Sequence, residues 1–260
     1  MSQAVRRFGS ALTRMGFIQG EVMGIIAPNL PEFPIAMFGA AGAGMPVALV
    51  NPTYTADEIA RQMTLVEATC LFGVSEMAET LKAVAQLCPT VRRIVLLGPS
   101  QDGCASYQDM MQDSGDLFND NIKSVGKNIQ QYLQSEGTNN RPATATHQET
   151  YIGLLPFFHS YGMVGLLLSA VESGAKLVTL LTNLPELKAK SYSRVHTIFC
   201  GAAPLGAPLA IKLLERFTHP VSFQEAYGLT EMSPGTFIPN SSEDCRPGNW
   251  PKNIGASRRW

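Results

Sequence analysis

The run EAYGLTEMSP (225–234) sets an aromatic ring, a glycine, a hydroxyl and a carboxylate close together at Tyr227, Gly228, Thr230 and Glu231. Tyr227 can stack a flat ring, Thr230 can offer its hydroxyl to a phosphate, and Glu231 can hold a hard cation such as Mg2+ through carboxylate oxygen. Taken alone, Glu231 serves equally well to cap a turn. A second run, LLPFFHSYGM (154–163), puts His159 among Phe157, Phe158 and Tyr161, a titratable ring in an aromatic wall. By itself that pattern also fits a satisfied core histidine. A third, FCGAAPLG (199–206), has small residues at Gly201, Ala202 and Ala203 before Pro204. Such residues let backbone lie against a flat ligand, and they suit a tight strand-to-helix turn just as well.

The elements that must position these runs follow from apolar periodicity. Short β-branched runs, VMGIIA (22–27), PVALV (46–50), CLFGV (70–74) and RIVLLG (93–98), alternate with helical patterns starting near Pro31 and Thr55 and running through Leu81. That alternation predicts βαβ units, a parallel sheet and helices on its faces. Asp57 and Glu58 open one helix, where acidic side chains suit the positive end of the dipole. The N-terminal stretch predicts an amphipathic helix with Val5, Phe8, Leu12 and Met15 on one face. From 98 to about 121, and again over 134–148, polar residues, Gly and Asp predict exposed connections. Structure resumes at YIGLLPFFHSYGM, followed by a long apolar helix, VGLLLSAVESG, with a left-handed cap expected at Gly174. Strands AKLVTLL and VHTIFCG follow, and GAAPLGAPLAIKLLERF reads as a turn and an amphipathic helix. All the candidate chemistry therefore falls at strand ends or helix starts, where open α/β sheets gather ligands.

The chain has 260 residues, 45% hydrophobic and 16% charged, with a formal net charge of -1. It carries no basic block of the kind nucleic acid or an anionic membrane requires, so a small molecule is the expected partner. The five cysteines show no C-x-x-C pair, which argues against a disulfide framework and a zinc site and for thiols of a reducing compartment. The uncharged stretch 33–50 falls short of ~20 strongly apolar residues, is rich in Gly and Ala, and includes Pro34 and Pro46. It reads as a buried helix that turns at Gly44 into a strand, not as a membrane span. GAAGAG (39–44) has the wrong glycine spacing and context for a dinucleotide loop, and Gly126-Lys127 lacks the rest of a Walker A loop.

In matching order, YGLTEMSP, GAAPL and PFFHSYGM resemble the adenylate-forming (AMP-binding) superfamily, in its branch of acyl-CoA synthetases, 4-coumarate–CoA ligases and insect luciferases. GIIAPNLPEFPIAMFGA, NPTYTADEIARQM and EDCRPG extend the resemblance from Arg7 to Gly248. The resemblance implies an α/β fold of parallel-rich sheets with flanking helices, a truncated large domain of such an enzyme. It implies a first α/β subdomain over 1–123 and a second, carrying the nucleotide and acyl motifs, over 124–248, with 249–260 as an unrelated tail and the small C-terminal domain absent. By the resemblance, Tyr227 stacks on adenine with Gly201, Ala202, Ala203 and Pro204 along the other side, and Gly228 belongs to the same nucleotide site. Thr230 meets the α-phosphate and Glu231 ligates Mg2+. His159, Tyr161 and Gly162 border a carboxylic acid substrate, and His159, Thr230 and Glu231 are the catalytic set. The implied chemistry is attack of a carboxylate on the α-phosphate of ATP, giving an acyl-adenylate (acyl-AMP) and pyrophosphate, then acyl transfer to coenzyme A.

The chain also departs from that pattern. It has no Ser/Thr/Gly-rich loop ending in Pro-Lys-Gly to wrap the β- and γ-phosphates, a loop that needs glycines for close approach and a lysine for charge. The junction around Lys123 and Ser124 reads as the place where that loop and its flanking strands are missing, and a second gap is expected between KLVTLL and SYSRVHTIFCG. The expectation is a ligase impaired by these losses, with a non-catalytic nucleotide- or acyl-binding remnant and an unstable splice product as the competing readings. An intracellular location is expected, peroxisomal by the resemblance, although the C-terminal Ser-Arg-Arg-Trp is not a Ser-Lys-Leu type signal and so also suits the cytoplasm.

Overall fold

A computed structural model of the protein describes residues 2–119, 150–153, 155–179, 195, 197–201 and 205–225. Its first unit is a five-stranded parallel sheet in the order β2-β1-β3-β4-β5. The strands are β1 (Val22–Ile26), β2 (Val47–Leu49), β3 (Ala68–Val74), β4 (Arg93–Leu97) and β5 (Ala105–Ser106). The expected alternation holds: α1 (Ser2–Arg14), α2 (Glu32–Gly42), α3 (Ala56–Leu65) and α4 (Ala78–Leu87) separate them.

Two-residue periodicity in the strands divides the core between the two faces of the sheet. Met23 and Ile25, Cys70 and Phe72, and Val95 face α1 and α2. Ile26, Leu71, Ile94 and Leu96 face α3 and α4, against Ile59, Met63, Leu81 and Val84. The N-terminal helix buries Phe8 and Leu12 completely, as its periodicity requires, with Met15 packed at the edge of the same core. Helix α3 starts with a reciprocal cap: the Glu58 N–H donates to Thr55 Oγ1 at 3.4 Å and the Thr55 N–H donates to Glu58 Oε2 at 2.8 Å. Glu58 thus satisfies a backbone donor as well as suiting the helix dipole. The apolar stretch 33–50 behaves as expected: Phe33, Ala36 and Ala40 are fully buried in α2, Gly44 turns with φ +78°, and β2 follows. Among the described residues no helix is long and apolar enough to cross a membrane.

One expectation needs correction. The stretch 98–121 is not only an exposed connection, because β5 pairs in parallel with β4 and the short helix α5 (Tyr107–Met110) follows it. Tyr107 and Met110, three residues apart on one helical face, are both buried. Elements this short give too few residues for a period to be read.

The second unit contributes two parallel pairs. Strand β6 (Thr150–Gly153) pairs with β7 (Lys176–Thr179), and β8 (Thr197–Cys200) pairs with β9 (Ser222–Glu225), a strand the sequence pattern did not single out. Between β6 and β7 runs helix α6, with π-type turns over Tyr161–Leu168 and α-helical turns over Ser169–Ser173. It begins three residues earlier than the sequence suggests and ends as expected at Gly174, in the left-handed conformation with φ 68° and ψ 17°. Helix α7 (Ala207–Leu214) precedes β9. Phe157, Val164, Leu167 and Leu168 join the core formed by α1, α2 and the sheet.

Burial of ionisable groups in that core gives the fold a measurable alkaline limit. Burial pushes the Cys70 thiol from its usual 9.0 up to about 12. Burial, with the Glu32 carboxylate adding to it, raises the Tyr107 phenol from 10.0 to about 12. Both groups hold their protons in the folded state to higher pH than in the unfolded one. The stability this represents is complete below about pH 9 and is lost as pH climbs through the folded values. Denaturant melts between about pH 8 and 11 are expected to show stability falling above pH 9, by up to about 1.4 kcal/mol per pH unit for each group. Cys70→Ala is expected to flatten the first part of that decline; an unchanged slope would count against the assignment.

Candidate functional site

The first candidate run is positioned by a backbone turn between β6 and α6. Residues 155–157 leave β6, the His159 N–H donates to the Pro156 carbonyl at 3.1 Å, and the Met163 N–H donates to the His159 carbonyl at 2.9 Å, so His159 sits on the first turn of the incoming helix. Its ring is exposed, and Nδ1 accepts the Tyr161 N–H at 3.2 Å. A neutral ring with Nδ1 so engaged carries its proton on Nε2, leaving a donor directed away from the backbone. That donor suits an oxygen of a bound carboxylate. The exposure rules out a satisfied core histidine.

Tyr161 is half-buried, and its phenol is raised by burial and further by the nearby Cys200 thiol. Gly162 is buried with a plain steric requirement: a Cβ there would lie 2.0 Å from the Pro156 carbonyl oxygen and 2.9 Å from that of Leu155. Gly165 makes room for the Tyr161 ring, whose Cδ2 and Cε2 would stand 3.0 Å from an added Cβ.

The second and third runs meet through β8 and β9. These strands run parallel in the register Thr197 with Ser222 through Cys200 with Glu225. Cys200 leads into Gly201, and Glu225 is the first residue of EAYGLTEMSP, so the two runs depart from the same carboxyl end of one strand pair. Ala202, Ala203, Pro204, Tyr227, Gly228, Thr230 and Glu231 lie outside the described residues. The described geometry therefore brings His159, Tyr161 and Gly162 together on the turn into α6, and sets Cys200 and Gly201 beside Glu225 at the end of the β8–β9 pair.

Sequence reasoning assigned nothing to Asn29, although it falls within GIIAPNLPEFPIAMFGA. Its Nδ2 donates to the carbonyls of Gly153 at 3.0 Å and Leu155 at 2.7 Å, and its Oδ1 accepts the Phe157 N–H at 2.7 Å. A short amide in a Pro-Asn-Leu-Pro turn before a helix was the available signal. Nearby, an apolar cavity of about 290 Å³ is walled by Leu30, Pro34, Phe157, Leu167 and Leu177. It offers room for hydrocarbon, and its walls supply no anchor for a carboxylate.

Among the described residues no group of three or more His, Cys, Asp or Glu could hold a metal ion. Mg2+ does not require such a group, since it takes one or two carboxylates and completes its shell with substrate phosphates and water.

Comparison with known proteins gives this arrangement a context. The family model described as "AMP-binding enzyme" matches residues 1–120 and 176–256, which includes the second and third runs and leaves the His159 run between the matched blocks. Probable 4-coumarate–CoA ligase 3 of Dictyostelium discoideum is 25% identical, over 92% of this chain and 55% of its own length. 4-coumarate–CoA ligase 3 of Arabidopsis thaliana is 24% identical, over 88% of this chain and 50% of its own. The chain thus spans about half the length of the curated relatives it matches. The Dictyostelium alignment extends over 304 residues, longer than this chain of 260, so that relative has internal residues without a counterpart here. Among solved structures, the anthranilate CoA ligase AuaEII in complex with anthranoyl-AMP superposes with a TM-score of 0.81 at 18% identity, covering 95% of this chain and 57% of its own. The long-chain-fatty-acid-CoA ligase FadD1 from Archaeoglobus fulgidus gives 0.78 at 19% identity, covering 92% and 58%. At such identities these structures establish the fold.

Proposed function

This chain belongs to the AMP-binding enzyme family, and from that premise we propose that it binds an adenine nucleotide and a carboxylic acid at the carboxyl ends of β8 and β9. In this reading residues 1–123 form the supporting subdomain, 124–248 the nucleotide- and acyl-binding one, and 249–260 a tail outside both. Tyr227 stacks on adenine, with Gly201, Ala202, Ala203 and Pro204 along its other side and Gly228 giving the backbone its close approach. Thr230 meets the α-phosphate and Glu231 holds Mg2+, which neutralises phosphate charge when bound. His159, with its Nε2–H donor, faces the acid's carboxylate, and Tyr161 and Gly162 complete that wall.

The associated reaction is that of an acid–CoA ligase. A carboxylate oxygen bonds to the α-phosphorus, pyrophosphate leaves, and a coenzyme A thiol then displaces AMP from the acyl carbon. The acid is a fatty acid or a 4-coumarate-like aromatic acid. Because the sequence has no Pro-Lys-Gly phosphate loop, the β- and γ-phosphates lack their usual cradle, and binding of AMP and acyl-AMP is expected to outlast rapid turnover.

The observation that supports this reading most is the parallel register ending at Cys200 and Glu225, from which the second and third runs depart side by side. Titration with AMP, followed by intrinsic fluorescence, is expected to saturate. Tyr227→Ala should weaken it about tenfold or more, in line with the ~1–3 kcal/mol carried by base stacking. Glu231→Gln should weaken binding of ATP with Mg2+ while sparing AMP. Incubation with ATP, Mg2+, CoA and a panel of fatty and cinnamic acids should release pyrophosphate slowly. A chain that saturates with neither AMP nor an acyl-AMP mimic would overturn the reading.

A further inference from the structure

We infer that Asn29 is the positioning residue of the His159 wall: its amide ties the backbone of residues 153–157 to the end of β1 and thereby fixes where His159 and Tyr161 stand. The inference rests on the reading above for what that wall does, and on geometry for how it is held. In the sheet order β2-β1-β3-β4-β5 the order of strands reverses between β1 and β3, and the crevice beyond the strand ends at such a point commonly receives a ligand. Asn29 lies three residues past the end of β1, and it engages the chain's own loop at this position.

Each of its contacts reads backbone. Nδ2 spans the carbonyls of Gly153 and Leu155 at 3.0 and 2.7 Å, and Oδ1 takes the Phe157 N–H at 2.7 Å, so both donor hydrogens and the acceptor are used. Gly162 also packs against this loop, and its missing Cβ leaves space for the Pro156 carbonyl. Phe157 is pinned from the same quarter as Asn29, its ring standing edge-on to Phe33 at 5.7 Å. His159 follows Phe157 by two residues and Tyr161 by four. A shift of the clamped backbone is therefore a shift of both.

The test uses hydrogen exchange on the full chain with Asn29→Ala and Asn29→Asp. Asn29→Ala is expected to lower protection of the Phe157 and His159 amides about tenfold or more, while Ile25 and Phe72 in the sheet keep theirs. Asn29→Asp retains an acceptor for Phe157 but turns a carboxylate toward two carbonyl oxygens. Its loop should be as unprotected as in the alanine variant at ~pH 7.5 and should recover toward ~pH 5, where a protonated carboxyl regains a donor. The alanine variant, corrected for intrinsic exchange, should stay flat over that range. Wild-type protection at Phe157 in the alanine variant, equal losses in loop and sheet, or an aspartate profile as flat as alanine's would each overturn the inference.

A ligand arm separates this inference from the function it serves. Asn29→Ala should leave AMP affinity unchanged and weaken octanoyl- and 4-coumaroyl-sulfamoyl adenosine about tenfold. Equal weakening of AMP would overturn the acyl-side assignment. If the wild-type chain binds none of these ligands, the proposed function fails, and the exchange pattern still decides whether Asn29 positions the loop.

Discussion

Gly162→Ala is expected to destabilise the protein by about 2–3 kcal/mol, where the same change elsewhere in a helix would stabilise it by about 1 kcal/mol. The reversal of sign comes from what an added methyl would meet. Its carbon would stand 2.0 Å from the Pro156 carbonyl oxygen, 2.6 Å from that carbonyl's carbon and 2.9 Å from the Leu155 oxygen. All three are backbone atoms of a segment already held by Asn29, so no side chain can rotate away to relieve the overlap. Helix α6 and its lead-in loop must separate, carrying His159 with them. Gly165→Ala is the matched comparison, since its methyl would press on the Tyr161 ring at 3.0 Å, a side chain with freedom to turn. Urea melts of the two variants should rank Gly162→Ala well below Gly165→Ala, and acyl-AMP mimics should lose affinity in the former. A Gly162→Ala protein as stable as wild type would contradict the packing described.

The contrast between those glycines marks where sequence stops being legible. In the sequence Gly165 belongs to the apolar helical run and Gly162 lies just before it, and only the fold distinguishes a glycine facing backbone from one facing a ring. Strands β1, β3 and β4 could be read because mostly apolar runs of five to seven residues bounded by turn signals leave little else to form. The cap at Gly174 was legible for a similar reason, since it requires one residue type at one place. Strand β5, two residues long, gives no period, and β9 reads as SFQE, with Phe223 its one apolar residue. The chemistry of Tyr227, Thr230 and Glu231 was read from side-chain types and the family resemblance, and these residues lie outside the described structure. Asn29 was illegible for a different reason. Its partners are 124 to 128 residues away, and an asparagine before a helix is more simply read as a cap or turn residue. Long-range side-chain to backbone bonds leave no local trace, which is why the residue that orients the best-described part of the site has to be found in the folded chain.

Phe72→Ala should cost about 3–5 kcal/mol, enough to remove much of the roughly 5–15 kcal/mol that holds a typical domain together. Phe72 is fully buried on β3, the central strand of the five-stranded sheet. It meets Phe8 of α1 edge-on at 5.9 Å and Tyr107 of α5 at 6.1 Å, and those two rings lie 5.9 Å from each other. Three elements distant in sequence are thereby fastened through one ring cluster, and α5, only four residues long, has little helical stability of its own. Truncation leaves a cavity bounded by a strand with neighbours on both sides, which cannot move inward to fill it. Denaturant melts measure the loss, and Tyr107 offers an independent reading of its location. Its phenol is held up at about 12 mainly by burial, so opening the cluster should bring its titration back toward 10. Phe8→Ala should have a similar cost, and the double variant should cost less than the two together, because both remove the same contact. A loss below about 1 kcal/mol for Phe72→Ala, with Tyr107 titrating as before, would mean that the cluster is not what joins α1 and α5 to the sheet.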